Sequence, residues 1–140
     1  MATVFTIGYG GRNPRDFVDV LTENKVPCVV DVRLRPDRAS MGAYSLAKTP
    51  DKGIEKLLSD AGIQYVSLIE LGNLFLGFTD WPAKYERLLA ESGELLLSRL
   101  LEIEPPFALL CAEKRVAECH RRLIAERLRE LRGDEIVHLE

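Results

Sequence analysis

A cysteine followed directly by a histidine and an arginine has the clearest chemical potential in this sequence. Cys119, His120 and Arg121 stand at the start of a segment with helical periodicity. A thiol at the amino end of a helix ionises readily, because the helix dipole and nearby cations stabilise the thiolate. A neighbouring histidine can accept the thiol proton. We therefore predict that Cys119 is a nucleophile assisted by His120, and that Arg121 either binds an anion or pairs with Glu113 or Glu118.

A second thiol and a carboxylate precede this segment by a few residues. Cys111 ends an apolar run, where it is either a functional thiol or a small core residue. Glu113 is the carboxylate predicted to orient His120. Since adjacent side chains on one helical turn do not face each other, a direct contact between Cys119 and His120 does not follow. His120 could act on the substrate while Cys111 interacts with Cys119.

Candidate ligand-binding residues follow the first two predicted strands. Tyr9 and Gly10 lie in a glycine-rich turn whose backbone is predicted to help hold an anion. Asp31 and Arg33 close the second strand. Arg33 either pairs with Asp31 or, together with Arg121, holds a phosphate, sulfate or carboxylate group.

Short apolar runs rich in β-branched residues alternate with longer stretches of helical period. Strands are predicted at residues 3–7, 28–32, 63–68, 107–111 and 136–139, and helices at about 13–24, 51–61, 84–102 and 117–131. The alternation predicts one α/β domain over residues 1–140, with a mostly parallel five-stranded sheet and helices on both faces, in a Rossmann-like three-layer arrangement. The expected strand order is 3-2-1-4-5. Ligands bind such sheets at the carboxyl ends of the strands, where the candidate residues stand.

The composition narrows the class of ligand. Cys28 is one of only three cysteines and lies in a predicted buried strand, which favours a reducing, cytoplasmic location over a disulfide framework. No apolar run is long enough for a membrane span. The net charge is −3, with basic clusters at residues 33–38 and 113–132, and this distribution fits a small anion better than nucleic acid. No nucleotide motif is present, and no cofactor is expected.

Several short motifs in a fixed order resemble the domain-of-unknown-function family 488. The motifs are Thr6-Ile7-Gly8-Tyr9, Asp31-Val32-Arg33, Leu110-Cys111-Ala112-Glu113 and Cys119-His120-Arg121, with further similarity at Gly62-Ile63, Leu71-Gly72 and His138-Leu139. The resemblance implies an intracellular bacterial or archaeal α/β protein with a pocket of cysteine and arginine and no settled activity. The family's polar residues fall on Tyr9, Asp31, Arg33, Cys111, Glu113, Cys119, His120 and Arg121. Asn73 and the loop at residues 38–50 depart from the family pattern.

Four functions remain open at this point. The favoured one is a thiol-dependent hydrolase or transferase for a small anionic substrate. A reversible disulfide between Cys111 and Cys119 is disfavoured by a spacing unlike Cys-x-x-Cys. A metal site of Cys111, Cys119 and His120, completed by water or Glu113, is disfavoured by adjacent ligands on one turn. The main alternative is a non-catalytic module that binds a nucleotide or nucleic acid, against which the net acidity weighs. The oligomeric state is left open.

Overall fold

Five β-strands alternate with four α-helices along the chain. The computed structural model describes residues 2–140. The elements are β1 (Thr3–Gly8), α1 (Pro14–Glu23), β2 (Cys28–Asp31), α2 (Gly53–Ser59), β3 (Gln64–Ser67), α3 (Trp81–Leu96), β4 (Phe107–Cys111), α4 (Arg121–Arg132) and β5 (Glu135–Leu139). Every pair of neighbouring strands is parallel. The predicted α/β class and parallel sheet are confirmed.

The strand order is β3-β2-β4-β1-β5, so the expected order 3-2-1-4-5 is wrong. β4 lies between β2 and β1 instead of outside β1. All residues of β4 are buried, whereas β3 and β5 have partly exposed residues. A strand that is apolar on both faces is most stable at the centre of a sheet, and the more polar strands form its edges.

The helices cover the sheet in two pairs. Phe17 of α1 and Leu58 of α2 pack on one face, and Leu89 of α3 and Leu128 of α4 pack on the other. Successive residues of a strand point to opposite faces, which places Cys111 on the same side as α4. Cys28 is buried in the core, as predicted.

The start of α4 lies later in the chain than predicted. A 3-10 turn at Val116–Glu118 and an extended Cys119 precede the helix, which begins at Arg121. α3 begins earlier than predicted because Pro82 occupies its first turn, where a missing N–H costs nothing, and it continues through Gly93 without interruption. Within residues 2–140, no helix has the length and apolar character needed to cross a membrane.

Candidate functional site

A cleft of about 220 Å³ opens at the carboxyl ends of β1, β2 and β4. Predicted site residues that line it are Tyr9, Arg33, Cys111, Glu113 and His120. Leu34, Arg35, Arg38, Asn73, Leu76 and Ala112 complete the wall. Cavities of about 570 and 480 Å³ lie beside β3 and between α3 and α4, but the residues described around them include neither cysteine nor histidine. The chemically active groups therefore gather at the smaller cleft.

Arg33 is held in the cleft wall by a buried ion pair. Its Nη2 and Nε donate to Asp31 Oδ2 at 2.7 and 3.0 Å, and Tyr65 Oη donates to the same oxygen at 2.5 Å. Burial lowers the pKa of Arg33, but the hydrogen bonds and charge of Asp31 outweigh it and raise the pKa above its usual value. The first alternative predicted for Arg33, pairing with Asp31, is confirmed. Asp31 is fully buried and does not line the cleft, whereas Arg33 does.

One nitrogen of the Arg33 guanidinium takes no part in the pairing with Asp31. Nη1 is buried and has no hydrogen-bond partner within residues 2–140. The guanidinium carbon lies 5.3 Å from the ring centroid of Tyr9, a cation–π distance that fixes its other side. A buried donor without a partner is costly, so an anion that accepts from Nη1 would stabilise this arrangement.

The structure joins Cys111 and Cys119 as a disulfide across the loop between β4 and α4, although their spacing is unlike Cys-x-x-Cys. Both cysteines are almost completely buried. Cys111 lines the cleft, while Cys119 lies behind it. Cys111 is therefore the cysteine that borders the cleft. The predicted nucleophile, Cys119, does not border it.

Arg121 is fully buried beneath the loop and does not line the cleft. Its Nη1 donates to Cys111 Sγ at 2.9 Å and to the carbonyl of Glu113 at 2.8 Å, and its Nη2 donates to the carbonyl of Lys114 at 3.3 Å. The predicted roles as an anion ligand or as the salt-bridge partner of a nearby glutamate are replaced by these contacts. Burial lowers the pKa of Arg121 to about 10, so the guanidinium remains charged at neutral pH. A cation this close to a sulfur stabilises its thiolate.

His120 is oriented by a backbone carbonyl. Its Nε2 lies 2.8 Å from the carbonyl oxygen of Val32, which can only accept, so Nε2 carries the proton. Val32, instead of the predicted Glu113, fixes the ring, because the side chain extends from the start of α4 over the end of β2. Burial lowers the pKa of His120 to about 4, which leaves the imidazole neutral at pH 7.

The other ring nitrogen of His120 faces Cys119. Nδ1 lies 3.7 Å from Cys119 Sγ. This contact between sequence neighbours is possible because Cys119 is extended and precedes the helix. The backbone N–H of Arg121 also reaches the same sulfur, at 3.4 Å. Cys119 thus has a proton acceptor on one side and an amide donor on the other.

The glycine turn after β1 does not present free amides for an anion. The N–H groups of Tyr9 and Gly10 donate to the carbonyls of Cys111 and Ala112 at 3.2 and 2.9 Å. They extend the pairing of β1 with β4 beyond the strand ends, so the predicted ligand role of the Gly10 amide is not available. Gly8 has a structural requirement of its own, since a Cβ there would overlap the carbonyl oxygen of Glu113.

Three potential metal ligands converge at the dithiol. The Sγ atoms of Cys111 and Cys119 and a carboxylate oxygen of Glu113 lie within 4.8 Å of one another. His120 is not part of this set. The Arg121 guanidinium contacts Cys111 Sγ from the protein side and would repel a cation held by that sulfur. The electrostatics favour a thiolate over a metal centre.

Two arginines of the cleft were not among the predicted site residues. Arg35 and Arg38 both line it, although Arg35 also pairs with Asp37 at 3.0 Å on the surface. The signal that points to them is the basic cluster at residues 33–38. Its three arginines lie in one loop at the end of β2, so a single turn of chain brings them to one opening.

The fold and the site define an all-parallel α/β protein with two adjoining thiols beside an arginine-lined cleft. A family model described as "Domain of unknown function DUF488" matches residues 13–128. The chain belongs to this family, and the resemblance found in its motifs is confirmed. The matched range includes Asp31, Cys111 and Cys119 but begins after Tyr9. Comparison with curated proteins and with solved structures gave no match.

Proposed function

We propose that this protein is a thiol-dependent transferase or hydrolase for a small anionic substrate, with Cys111 as the nucleophile. The observation that carries the proposal is the position of Cys111, a residue that lines the cleft and whose Sγ lies 2.9 Å from Nη1 of Arg121. The thiolate is the reactive form of cysteine, and a neighbouring cation increases its population at neutral pH. Arg121 is therefore a positioning residue that keeps Cys111 ionised.

The arginines of the wall supply the anion-binding part of the site. Nη1 of Arg33 is a hydrogen-bond donor without an acceptor. Arg35 and Arg38 add positive charge around the same opening. A volume of about 220 Å³ is below the range of about 300–1,000 Å³ typical of drug-sized ligands. The substrate is accordingly a compact anion. Asp31 does not line the cleft but holds the guanidinium of Arg33 in position.

The test is the pH dependence of alkylation at each cysteine of the reduced, folded protein, read by peptide mass spectrometry. Cys111 is expected to react with a midpoint at least one unit below the free-thiol value of about 8.5. Sulfate or phosphate should slow that reaction in wild type and not in Arg33→Gln. Cys28 is the internal control and should stay unmodified, because it does not line the cleft and burial raises the pKa of its thiol. A normal midpoint at Cys111, or no protection by any anion, would overturn the proposal.

A second cavity supports the alternative of a non-catalytic nucleotide-binding module. A cavity of about 610 Å³ adjoins the cleft and shares Tyr9 and Arg38 with it, which leaves room for a group attached to a bound phosphate. A module of this kind would bind nucleotides with a steep loss of affinity in salt and would not change covalently. Tight nucleotide binding together with an unreactive Cys111 would favour the module over the enzyme.

A further inference from the structure

We infer that the substrate is a small oxyanion carrying a sulfane sulfur, of which thiosulfate is the simplest, and that Cys111 and Cys119 reduce it as a dithiol. This inference rests on the proposed function and specifies its substrate class and reaction. It follows from two observations: the contact between the two sulfurs and the mixed chemistry of the cleft wall.

The contact between Cys111 and Cys119 indicates a chemical role for Cys119. Cys119 lies behind Cys111 and does not line the cleft, so it meets the substrate only through Cys111. A thiol in that position attacks the sulfur of its neighbour and displaces the group bonded to that sulfur. Ester or phosphate hydrolysis would gain nothing from such a thiol, because disulfide formation would remove the nucleophile. A reduction that ends in a disulfide uses both.

The cleft wall combines cationic and apolar groups. Arg33 and Arg38 suit an oxyanion, whereas Leu34, Leu76 and the ring of Tyr9 present hydrocarbon. Phosphate and sulfate can bind the arginines, but they carry hydrogen-bonding oxygens in every direction. Burial of an oxygen against hydrocarbon is unfavourable, so these ions should bind more weakly than thiosulfate. Thiosulfate has oxygens at one end and a polarisable sulfur at the other. That ion matches the wall and is small enough for the cleft.

The first step forms a persulfide on Cys111. The Cys111 thiolate attacks the sulfane sulfur, the S–S bond of thiosulfate breaks, and its electron pair leaves on sulfite. In this proposal Arg33, which lines the cleft, stabilises the departing anion, and its unpartnered Nη1 is the donor left for that role. The sulfane sulfur remains bonded to Cys111 as a persulfide anion.

The second step releases sulfide. Cys119 gives its proton to Nδ1 of His120, 3.7 Å away, and attacks Sγ of Cys111. The bond to the outer sulfur breaks, and that sulfur leaves with the proton as hydrosulfide. The sulfane sulfur has gained two electrons and the two thiols have become a disulfide. Each further cycle requires an external thiol reductant to restore the dithiol.

A single-turnover experiment tests this sequence. Reduced protein, freed of reductant, is mixed with thiosulfate under exclusion of air, and sulfite, sulfide and the intact protein mass are measured. Wild type should release one sulfite and one sulfide per chain and lose two hydrogen atoms. Cys119→Ser should release sulfite without sulfide and gain one sulfur atom at Cys111. Cys111→Ser should release neither, and Cys28→Ser is the matched control that should behave as wild type.

The outcomes separate the substrate class from the proposed function. If thiosulfate protects Cys111 from alkylation but no sulfite appears and no disulfide forms, the substrate class is overturned while the proposed function stands. If no anion protects Cys111 and no product forms, both are overturned. Sulfite release from Cys111→Ser at the wild-type level would also overturn the inference. The wild-type mass and product ratio decide the matter even if a serine variant folds poorly.

Discussion

Nη1 of Arg121 lies 2.9 Å from the sulfur of Cys111 and 2.8 Å from the carbonyl oxygen of Glu113. A single buried cation thus joins the thiol at the end of β4 to the loop that follows it. Within residues 2–140 no carboxylate forms a salt bridge with Arg121. After reduction, a thiolate at Cys111 would lie within about 3 Å of this desolvated charge, so we expect the ionisation of Cys111 and the stability of the loop to depend on each other.

Replacement of this cation should affect reactivity and stability together. Arg121→Gln is expected to raise the alkylation midpoint of Cys111 by a unit or more, because the thiolate loses its neighbouring charge. The free energy of unfolding in urea should fall by about 2 to 4 kcal/mol, since buried carbonyls lose their donors. Arg122→Gln is the matched control on the same helix, where the arginine is partly exposed. An unchanged Cys111 midpoint in Arg121→Gln would contradict the assigned role.

The buried ion pair between Asp31 and Arg33 should contribute far more to the free energy of unfolding than the exposed pair between Asp37 and Arg35. Asp31→Asn leaves Arg33 buried without its carboxylate and is expected to cost about 3 kcal/mol of unfolding free energy. Anion protection of Cys111 should weaken as well, because Arg33 is no longer held in place. Asp37→Asn breaks an exposed pair with Arg35 and should cost less than about 0.5 kcal/mol. Equal losses in the two variants, measured by urea unfolding, would show that burial of the first pair is irrelevant.

The pH dependence of stability should carry the signature of His120. Its pKa is about 4 in the folded protein and has an ordinary value of 6.5, so in that window the unfolded chain binds a proton that the folded chain does not. Stability due to this group is therefore complete above pH 6.5 and is lost as the pH falls toward 4. The loss amounts to about 3 kcal/mol.

Urea unfolding at several pH values between 7 and 4 measures this contribution. His120→Gln removes the titrating ring and should flatten the fall in stability over that window. His138→Gln is the comparison. Partial burial also lowers the pKa of His138, but this histidine is exposed on β5, so its replacement should leave most of the slope in place. If the fall in unfolding free energy with pH persists in His120→Gln and disappears in His138→Gln, His138 is responsible and the prediction for His120 is contradicted.

Gly8 should tolerate no side chain. A Cβ at this position would overlap the carbonyl of Glu113, so Gly8→Ala must displace the loop that carries Arg121's acceptors. We expect a loss of about 3 kcal/mol or more in unfolding free energy, together with a change in Cys111 reactivity. Gly42→Ala is the comparison, because open space surrounds that position, and its effect should stay within about 0.5 kcal/mol. Similar stabilities for the two variants would show that β1 and the loop separate easily.

Local pattern was sufficient for the class of fold and for most of the site. The apolar strands and the rule that ligands bind at their carboxyl ends brought Arg33, Cys111 and His120 to one opening. The strand order did not follow, because it depends on which strand is most apolar on both faces, a comparison made only in the assembled sheet. The periodicity placed β4 correctly and said nothing of its neighbours.

Individual roles were harder to predict than location. Arg121 belongs to a basic cluster that indicates anion binding, yet it is buried against carbonyls that only the folded loop supplies. The first turn of α4 was assigned four residues too early, so the extended conformation of Cys119 and its contact with His120 could not be anticipated. Contacts between segments distant in sequence decide all of these roles.

The sheet order also bears on how the protein is made. Among the five strands of this sheet, β1 leaves the ribosome before the other four, yet it borders only β4 and β5, which are made after the rest. Early in synthesis β2 and β3 can pair, while Val4 and Ile7 wait until residues 107–139 have emerged. Until then the apolar first strand has no partner and is open to non-native contacts. Cys111 and Cys119 both follow β1, β2 and β3 in the chain, so the cleft can be assembled only after those three strands have been made.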